Sequence, residues 1–427
     1  MHKVAYITLG CPKNQVDTDH LIAKINDSGF GYTEEMDDAD LFIVNTCCFI
    51  DDAKRESIDI ILKLSQQRKK DSKLIVMGCM GERYRHDLKK EIPEIDAVFG
   101  IGDDDDILRH IRTILKPSSR PEQPGPVRCS SYAYIKIADG CNRSCSFCVI
   151  PYIRGGFRSI RPEKVINEAK NHLGNGVKEL ILVAQDITGY GNDIDGNYNL
   201  SSLVRDIAGL NGDFRIRLLY MYPTGITTEL IDLIADEEKI CNYFDMPLQH
   251  SDDDILISMK RGYSLRDFRE TVAYIRKRIP DAVLRTTLIV GFPGETERQF
   301  RNLKHSLNEF SFDRLGVFKY SRQEGTLSYN NRGNIPQKIR DRRYDEIMRI
   351  QSGISLEKNM DLVGRKFRAL ADEIDGRGAI ARMYSHAPEI DGAVLIRDSK
   401  KINESDFIEV RITDAYDYDL AGEIIVE

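Results

Sequence analysis

The sequence predicts a multidomain α/β protein: an N-terminal parallel α/β domain, a central partial (β/α)6 barrel and a C-terminal small antiparallel β-barrel of the oligonucleotide-binding type. Three observations predict it. Before residue 116, fully apolar runs alternate with helix-like segments, the pattern of a parallel sheet covered on both faces. From about Ser130 to Met360, six strand-like runs recur with helical patterns between them. Beyond residue 361, five short strand patterns crowd into fewer than seventy residues.

In the first segment, 1–116, Val4–Leu9, Leu41–Val44, Leu74–Met77 and Ala97–Phe99 read as strands. Helical patterns run from Val16 to Asp27 and from Asp51 to Lys69. Cys11, Cys47 and Cys79 each fall just beyond a strand and ahead of a helix. In an open parallel sheet the carboxyl ends of the strands form the ligand crevice, so three βα loops would bring these thiols together. Helix N-termini beside them favour negative charge, which suits a thiolate-ligated metal cluster. The competing reading is three buried thiols that merely pack. Cys48 is passed over because Cys47 ends the Asn45-Thr46-Cys47 turn in the position matching Cys11 and Cys79. Cys129 and Cys241 have no partner pattern and read as structural.

Pro117, Pro121, Pro124 and Pro126 cannot continue a helix or a central strand, so 117–129 reads as a linker. The central domain, 130–360, then offers strands at Tyr132–Ala138, Glu179–Gln185, Phe214–Tyr220, Asn242–Leu248, Val283–Gly291 and Arg314–Tyr320. Helices are expected at Pro162–Leu173, Thr228–Ala235, Leu265–Arg278 and Glu297–Phe310. A doubly wound open sheet is the alternative. In a βα barrel the active groups sit at the C-terminal ends of the strands. Those ends carry the loop 141–148, Gln185-Asp186, Tyr222-Pro223, Gln249-His250, the turn Gly291-Phe292-Pro293-Gly294-Glu295 and Tyr320-Ser321.

Loop 141–148 holds Cys141, Cys145 and Cys148 in the spacing C-x3-C-x2-C, with Phe147 just before the third cysteine. Three thiolates on a 4Fe-4S cube leave one iron free for a small molecule that offers an amine and a carboxylate. The alternatives are packing cysteines, or zinc with a fourth ligand from elsewhere. Arg154, Arg158 and Arg161 follow closely and suit a cofactor carboxylate or substrate, with at least one a solvated charge. His250 reads equally as a structural or a catalytic histidine, and Asp103–Asp106 as a solvated helix start.

A charged amphipathic helix from Ile335 to about Met360 leads to the last domain, 361–427. Its strand patterns are Lys366–Ala371, Ala379–Tyr384, Ala393–Ile396, Asp406–Asp414 and Glu423–Val426. Over 361–427, nine Lys and Arg face fifteen Asp and Glu, a net of −6. A barrel built to track phosphates should be basic, so this one is expected to grip a basic protein or simply to sit at the surface. The whole chain carries −7, which argues against a general nucleic-acid binder. No apolar run would span a bilayer, no signal peptide is visible, and nine dispersed cysteines do not suggest a secreted disulfide framework. A reducing cytoplasm is the expected setting.

The C-x3-C-x2-C loop resembles the signature of radical S-adenosylmethionine enzymes, and the three domains in order resemble the methylthiotransferase family from end to end. That resemblance implies an auxiliary 4Fe-4S cluster on Cys11, Cys47 and Cys79 and a radical-generating 4Fe-4S cluster on Cys141, Cys145 and Cys148. It implies S-adenosyl-L-methionine as cofactor and a C-terminal TRAM domain. The glycines and proline of the turn Gly291, Phe292, Pro293, Gly294, Glu295 would let the backbone approach a flat adenine. Alone it is an ordinary turn, but its place after the fifth strand of a barrel that begins with C-x3-C-x2-C favours the cofactor, with Phe147 and Gln185 as further expected contacts. Leu9-Gly10-Cys11-Pro12-Lys13-Asn14 and Asn45-Thr46-Cys47-Cys48-Phe49-Ile50-Asp51 resemble the RimO branch. The tRNA-modifying branches usually carry Gln-Met-Asn after the first cysteine, and Cys48 stands where glycine is common. The branch implies methylthiolation of an aspartate β-carbon in ribosomal protein S-twelve of the small subunit. It also implies a reducing partner such as flavodoxin or ferredoxin. Lys13, two positions from Cys11, reads as a partner for the substrate carboxylate or as a surface lysine. A tRNA adenosine methylthiotransferase and a non-enzymatic iron-sulfur carrier are the competing readings.

Overall fold

A computed structural model describes residues 2–115, 130–375, 378–397 and 402–425. The expected linker 117–129, with Cys129, lies outside the described residues. The N-terminal domain is built from β1 (Lys3–Thr8), α1 (Pro12–Asp27), β2 (Gly31–Tyr32), β3 (Leu41–Thr46), α2 (Asp51–Gln67), β4 (Lys73–Gly78), α3 (Cys79–Glu91), β5 (Ala97–Val98) and α4 (Asp104–Ile114). All five strands are parallel, in the order β2-β1-β3-β4-β5. Successive side chains point to opposite faces, which divides the apolar runs into two cores. Val4, Leu41, Ile43, Ile75 and Met77 pack with Leu21 and Ile25 of α1 and Ile107 and Ile111 of α4. Ala5, Phe42, Val44, Leu74 and Val76 pack with Ile61 and Leu64 of α2 and Leu88 of α3. Both faces are covered, as the alternation predicts. Helix α1 starts before the expected Val16: extended Cys11 is its N-cap and Pro12 opens it, where a missing N–H costs nothing.

The central domain comprises β6 (Tyr132–Lys136), β7 (Ala138–Asp139), α5 (Ile150–Arg154), β8 (Arg158–Ser159), α6 (Pro162–Gly174), β9 (Glu179–Val183), α7 (Leu200–Ala208), β10 (Arg215–Leu218), α8 (Thr228–Asp236), β11 (Tyr243–Asp245), α9 (Asp253–Ser258), α10 (Leu265–Arg278), β12 (Val283–Val290), α11 (Glu297–Phe310), β13 (Arg314–Lys319) and α12 (Gln337–Met360). Parallel strands form two sheets, β6-β9-β10 and β11-β12-β13. The sheets meet through Cys241 N–H to Ile216 O (2.8 Å) and Met221 N–H to Asp245 O (2.9 Å). The six strands therefore follow chain order around an open, partial barrel. The expected strand Tyr132–Ala138 is broken at Ile137, and its end, β7, pairs antiparallel with β8 across the base of the cysteine loop.

The last domain is a closed barrel of β14 (Lys366–Asp375), β15 (Gly378–Arg382), β16 (Val394–Ile396), β17 (Phe407–Ala415) and β18 (Leu420–Ile424), in the order β14-β15-β16-β18-β17. It departs from the expected antiparallel barrel at one seam, because β16 and β18 run parallel. A closed ring of five strands cannot alternate direction at every seam, so one parallel pair is required.

This domain does not merely sit at the surface; it closes the N-terminal mouth of the central barrel. Glu179 at the start of β9 accepts hydrogen bonds from Arg215 (2.7 Å), Arg217 (2.6 Å) and Arg382 (2.6 Å). Burial would raise that carboxyl, yet the three guanidiniums hold it far below the usual range. Arg217 also donates to Tyr384 O, Tyr243 to Asp391, and Arg314 contacts His386 at 3.0 Å. Ala387 packs inside the barrel among Tyr134, Ile181, Tyr243 and Val283, and Val16 of α1 joins the same cluster from the N-terminal domain.

Candidate functional site

The N-terminal domain presents Cys11, Cys47 and Cys79 at the carboxyl ends of β1, β3 and β4. Cys11 and Cys47 flank the point where strand order reverses, the usual ligand crevice of such sheets. Two glycines make the loops possible. Gly10 (φ +95°) and Gly78 (φ +88°) immediately precede Cys11 and Cys79, in a conformation that side chains disfavour. A Cβ on Gly10 would lie 2.7 Å from Cys47 Cβ, and one on Gly78 would lie 2.0 Å from Asn45 Oδ1. Ser57 on α2 fixes Cys47, accepting from its N–H (3.1 Å) and donating to its carbonyl (2.9 Å).

Asn14 ties the three loops together. Fully buried in the first turn of α1, it donates to Leu9 O (2.8 Å) and Thr46 O (3.2 Å), while its Oδ1 accepts from Cys79 Sγ (3.6 Å). Charge separates the thiols. Burial would raise Cys11, but Lys13 and Arg154 beside it hold it below the ordinary thiol value. Burial pushes the Cys47 and Cys79 thiols up. Cys48 does not compete: its buried thiol donates to Cys79 O (3.2 Å) inside the domain core.

The second triplet lies in one loop between β7 and α5. The backbone N–H of Arg143 donates to Cys141 Sγ (3.4 Å), and Arg261 Nη1 donates to Cys145 Sγ (3.3 Å). Burial pushes the Cys148 thiol up to about 12. Arg261, itself buried, stacks on Tyr222 with 4.4 Å between its guanidinium and the ring centroid, and donates to Pro247 O.

Both triplets face one interface. Arg154, six residues beyond Cys148, reaches into the N-terminal domain with its side chain 1 % exposed. It contacts Asp17 (3.0 Å), Asn14 Oδ1 (2.7 Å) and Cys79 Sγ (3.8 Å) across the interface, and Asp139 (3.0 Å) on its own side. Lys136 bridges Asp17 and Asp139 beside it. Asp51 N–H donates to Ser321 Oγ, and Gln323 donates to Asp51 (3.0 Å), closing the other edge. Between the domains lies a cavity of about 80 Å³ lined by Phe49 and Ile50 on one side and Phe147, Gln249, Ile289 and Tyr320 on the other.

Several buried polar atoms at the strand ends have no protein partner: both amide atoms of Gln185, Gln249 Oε1 and His250 Nε2. Buried polar atoms left so are costly unless a ligand satisfies them. Three thiols at each site are a donor set that suits a 4Fe-4S cube, which spreads its thiolates over different irons.

The expected site residues divide. Phe147 lines the cavity and Gln185 has free polar atoms, whereas the turn 291–295 is held internally. Glu295 Oε2 accepts from the N–H groups of Gly291 (2.5 Å) and Phe292 (3.1 Å), and Oε1 pairs with Arg343 at 3.0 Å. Burial raises this carboxyl to about 7 despite those partners. Phe292 is fully buried edge-on to Tyr320, and Gly294 N–H donates to Gly333 O (2.9 Å). Arg154 holds the two domains together rather than standing open to a cofactor carboxylate, while Arg158 and Arg161 are solvated. His250 accepts at Nδ1 from Asp252 N–H, and burial lowers it to about 4, so it is neutral. The positioning roles of Asn14 and Arg261 escaped sequence reasoning. Asn14's place one turn past Cys11 was the available signal; Arg261 offered none.

Comparison with known proteins agrees with the three-domain architecture. Residues 3–100 match an uncharacterized protein family, UPF0004; residues 135–307 match the radical SAM superfamily; residues 363–425 match the TRAM domain. A protein named ribosomal protein uS12 methylthiotransferase RimO from Thermodesulfovibrio yellowstonii is 50% identical over 427 residues, covering 100% of both chains. Proteins of the same name from Natranaerobius thermophilus and Aquifex aeolicus are 45% and 43% identical, covering 100% and 98% of this chain and 99% and 96% of theirs. The chain belongs to the RimO family of methylthiotransferases. Among solved structures, a radical S-adenosylmethionine methyltransferase, TsrM from Kitasatospora setae with cobalamin and a 4Fe-4S cluster bound, superposes with a TM-score of 0.57. It is 13% identical, with 95% of this chain and 84% of that one covered, and so shares the fold. For a RimO-family chain, Pro12-Lys13-Asn14 acquires a structural meaning: Pro12 opens α1, Lys13 crosses to the barrel and Asn14 ties the loops.

Proposed function

We propose that this protein inserts sulfur and a methyl group at the β-carbon of an aspartate in ribosomal protein uS12. In this reading Cys141, Cys145 and Cys148 hold one 4Fe-4S cluster, and Cys11, Cys47 and Cys79 hold the other. Phe147 and Gln185 would hold S-adenosyl-L-methionine, on a rim whose shape the Gly291–Glu295 turn maintains. When bound, the clusters and S-adenosyl-L-methionine supply the radical chemistry and the sulfur that an unactivated carbon requires. The chain's own residues supply position. Arg154, Asp17, Asp139 and Lys136 fix the two domains so that both triplets serve one water-poor interface. A reducing partner such as flavodoxin or ferredoxin, and a cytoplasmic setting, complete the reading.

The convergence of the two triplets on one interface carries the proposal. Placement on opposite faces would keep a substrate carbon held at one triplet out of reach of sulfur supplied at the other. The test is mass spectrometry after anaerobic incubation of the reconstituted enzyme with S-adenosylmethionine, a reductant, unmodified uS12 and unmodified tRNA together. The expected product is a methylthio group on a uS12 aspartate. A methylthio group on tRNA adenosine instead overturns the substrate assignment.

A further inference from the structure

Lys13 is 8 % exposed, yet its ammonium makes no hydrogen bond or ion pair among the described residues. Its close partner is the face of the Tyr220 ring, with Nζ 3.6 Å from the centroid. The buried cations around it are committed: Arg154 and Lys136 to Asp17 and Asp139, and Arg285 to Asp245 at 2.8 Å. Asp245, whose charge reaches Lys13, is further occupied by the Tyr220 N–H at 2.9 Å. A cation removed from water over an aromatic face gains part of its lost solvation and still lacks a hydrogen-bonded anion. Tyr220 itself has φ +65°, a strained conformation for a tyrosine, at the C-terminal end of β10 where the chemistry of a βα barrel takes place.

We propose that Lys13, braced on Tyr220, is the binding site for the carboxylate of the substrate aspartate; the assignment rests on the uS12 reading above. The chemistry favours this site. In aspartate the β-carbon is bonded directly to the carboxylate carbon, so a grip on the carboxylate places the reacting carbon one bond away. Lys13 lies two residues from Cys11 and crosses from the sulfur-bearing domain to the barrel rim, so an aspartate held there stands between the two triplets. Lys13 is near enough to Cys11 to favour its thiolate, yet it makes no hydrogen bond to a cysteine sulfur among the described residues, whereas Arg154 contacts Cys79 Sγ and Arg261 contacts Cys145 Sγ.

The experiment uses the reconstituted full chain with uS12 and with a uS12 variant whose target aspartate is asparagine. It compares binding constants measured anaerobically in the presence of S-adenosylmethionine, and turnover of the two forms in competition. The wild-type enzyme should prefer aspartate by roughly tenfold to a hundredfold, the range for one charge-assisted hydrogen bond. Lys13→Met, which keeps the length and loses the charge, should bring the two forms to near parity, and Lys13→Arg should restore the preference. A Lys13→Met enzyme that still prefers aspartate as strongly as wild type overturns the assignment. So does a Lys13→Met protein that loses iron and cluster absorbance, because Lys13 would then serve the cluster. A wild-type enzyme that modifies neither uS12 form overturns the substrate reading, and this assignment with it.

Discussion

The two three-cysteine sites reach one interface by opposite routes. Cys141, Cys145 and Cys148 lie within eight residues of a single loop, so the chain itself brings them together. Cys11, Cys47 and Cys79 lie on three loops of a parallel sheet and depend on Asn14, Ser57, Gly10 and Gly78 to converge. Their electrostatics differ in kind too. At the distributed site the sulfurs feel cations from both domains, Lys13 from their own and Arg154 from the barrel. At the local site the cation in contact, Arg261, comes from the barrel itself. A local site can be complete in one domain, whereas the distributed one is finished only by docking. This asymmetry fits a division of labour in which cofactor cleavage is a property of the barrel and sulfur insertion a property of the assembled pair.

The largest effects should separate the two sites outright. Cys145→Ala should abolish cleavage of S-adenosylmethionine, read as 5′-deoxyadenosine, and the methylthiolated product with it. Cys47→Ala should continue to form 5′-deoxyadenosine and yield no methylthiolated uS12. Circular dichroism establishes that each variant is folded. Equal loss of both activities in folded Cys47→Ala would erase the division of labour.

A smaller and more selective effect is expected from Arg154→Met. Removing this guanidinium leaves Asp17 and Asp139 facing each other with Lys136 alone between them. Breaking a buried ion pair from one side costs about 3–5 kcal/mol. The Asp139 carboxyl, which burial would raise, is held down to about 2 by Arg154 and Lys136 in the native chain. The N-terminal domain should therefore loosen first, with faster hydrogen exchange in α1 and at the start of α3 than in the strands of the barrel. Methylthiolation should fall much further than 5′-deoxyadenosine formation. Uniform loss of protection across both domains would show that Arg154 supports the barrel rather than the junction.

The same asymmetry governs how much was legible in the sequence. A local cysteine motif is visible as spacing, and the distributed triplet was legible because strand ends of a parallel sheet must gather on one side. Fully apolar runs such as Leu41–Val44 specify a doubly covered sheet, and they formed one. What pattern could not show were contacts between residues far apart in sequence. Arg154 read as a ligand for cofactor or substrate because nothing in its neighbours reveals Asp17, 137 residues earlier. Glu179, Arg215, Arg217 and Arg382 lock the last domain under the barrel through a buried charge cluster that has no periodicity. The Gly291–Glu295 turn was correctly placed at a strand end, but that Glu295 would take up its N–H groups depends on the three-dimensional path of the turn.

The finest test concerns the local site alone. Arg261 brings a buried positive charge and a hydrogen bond to Cys145 Sγ, and both stabilise the more negative, reduced state of a thiolate-ligated cluster. Arg143 lies in the same loop, but its side chain is 37% exposed and is committed to Asp186 at 2.9 Å, so solvent screens it. Arg261→Gln should therefore move the midpoint potential of the barrel cluster to a more negative value in an anaerobic redox titration followed by electron paramagnetic resonance. Arg143→Gln should move it less, because the backbone N–H that reaches Cys141 Sγ remains in place. The auxiliary signal should shift in neither variant. If the two substitutions shift the barrel cluster equally, the thiolate contact carries no special weight and the local site is tuned by net charge alone.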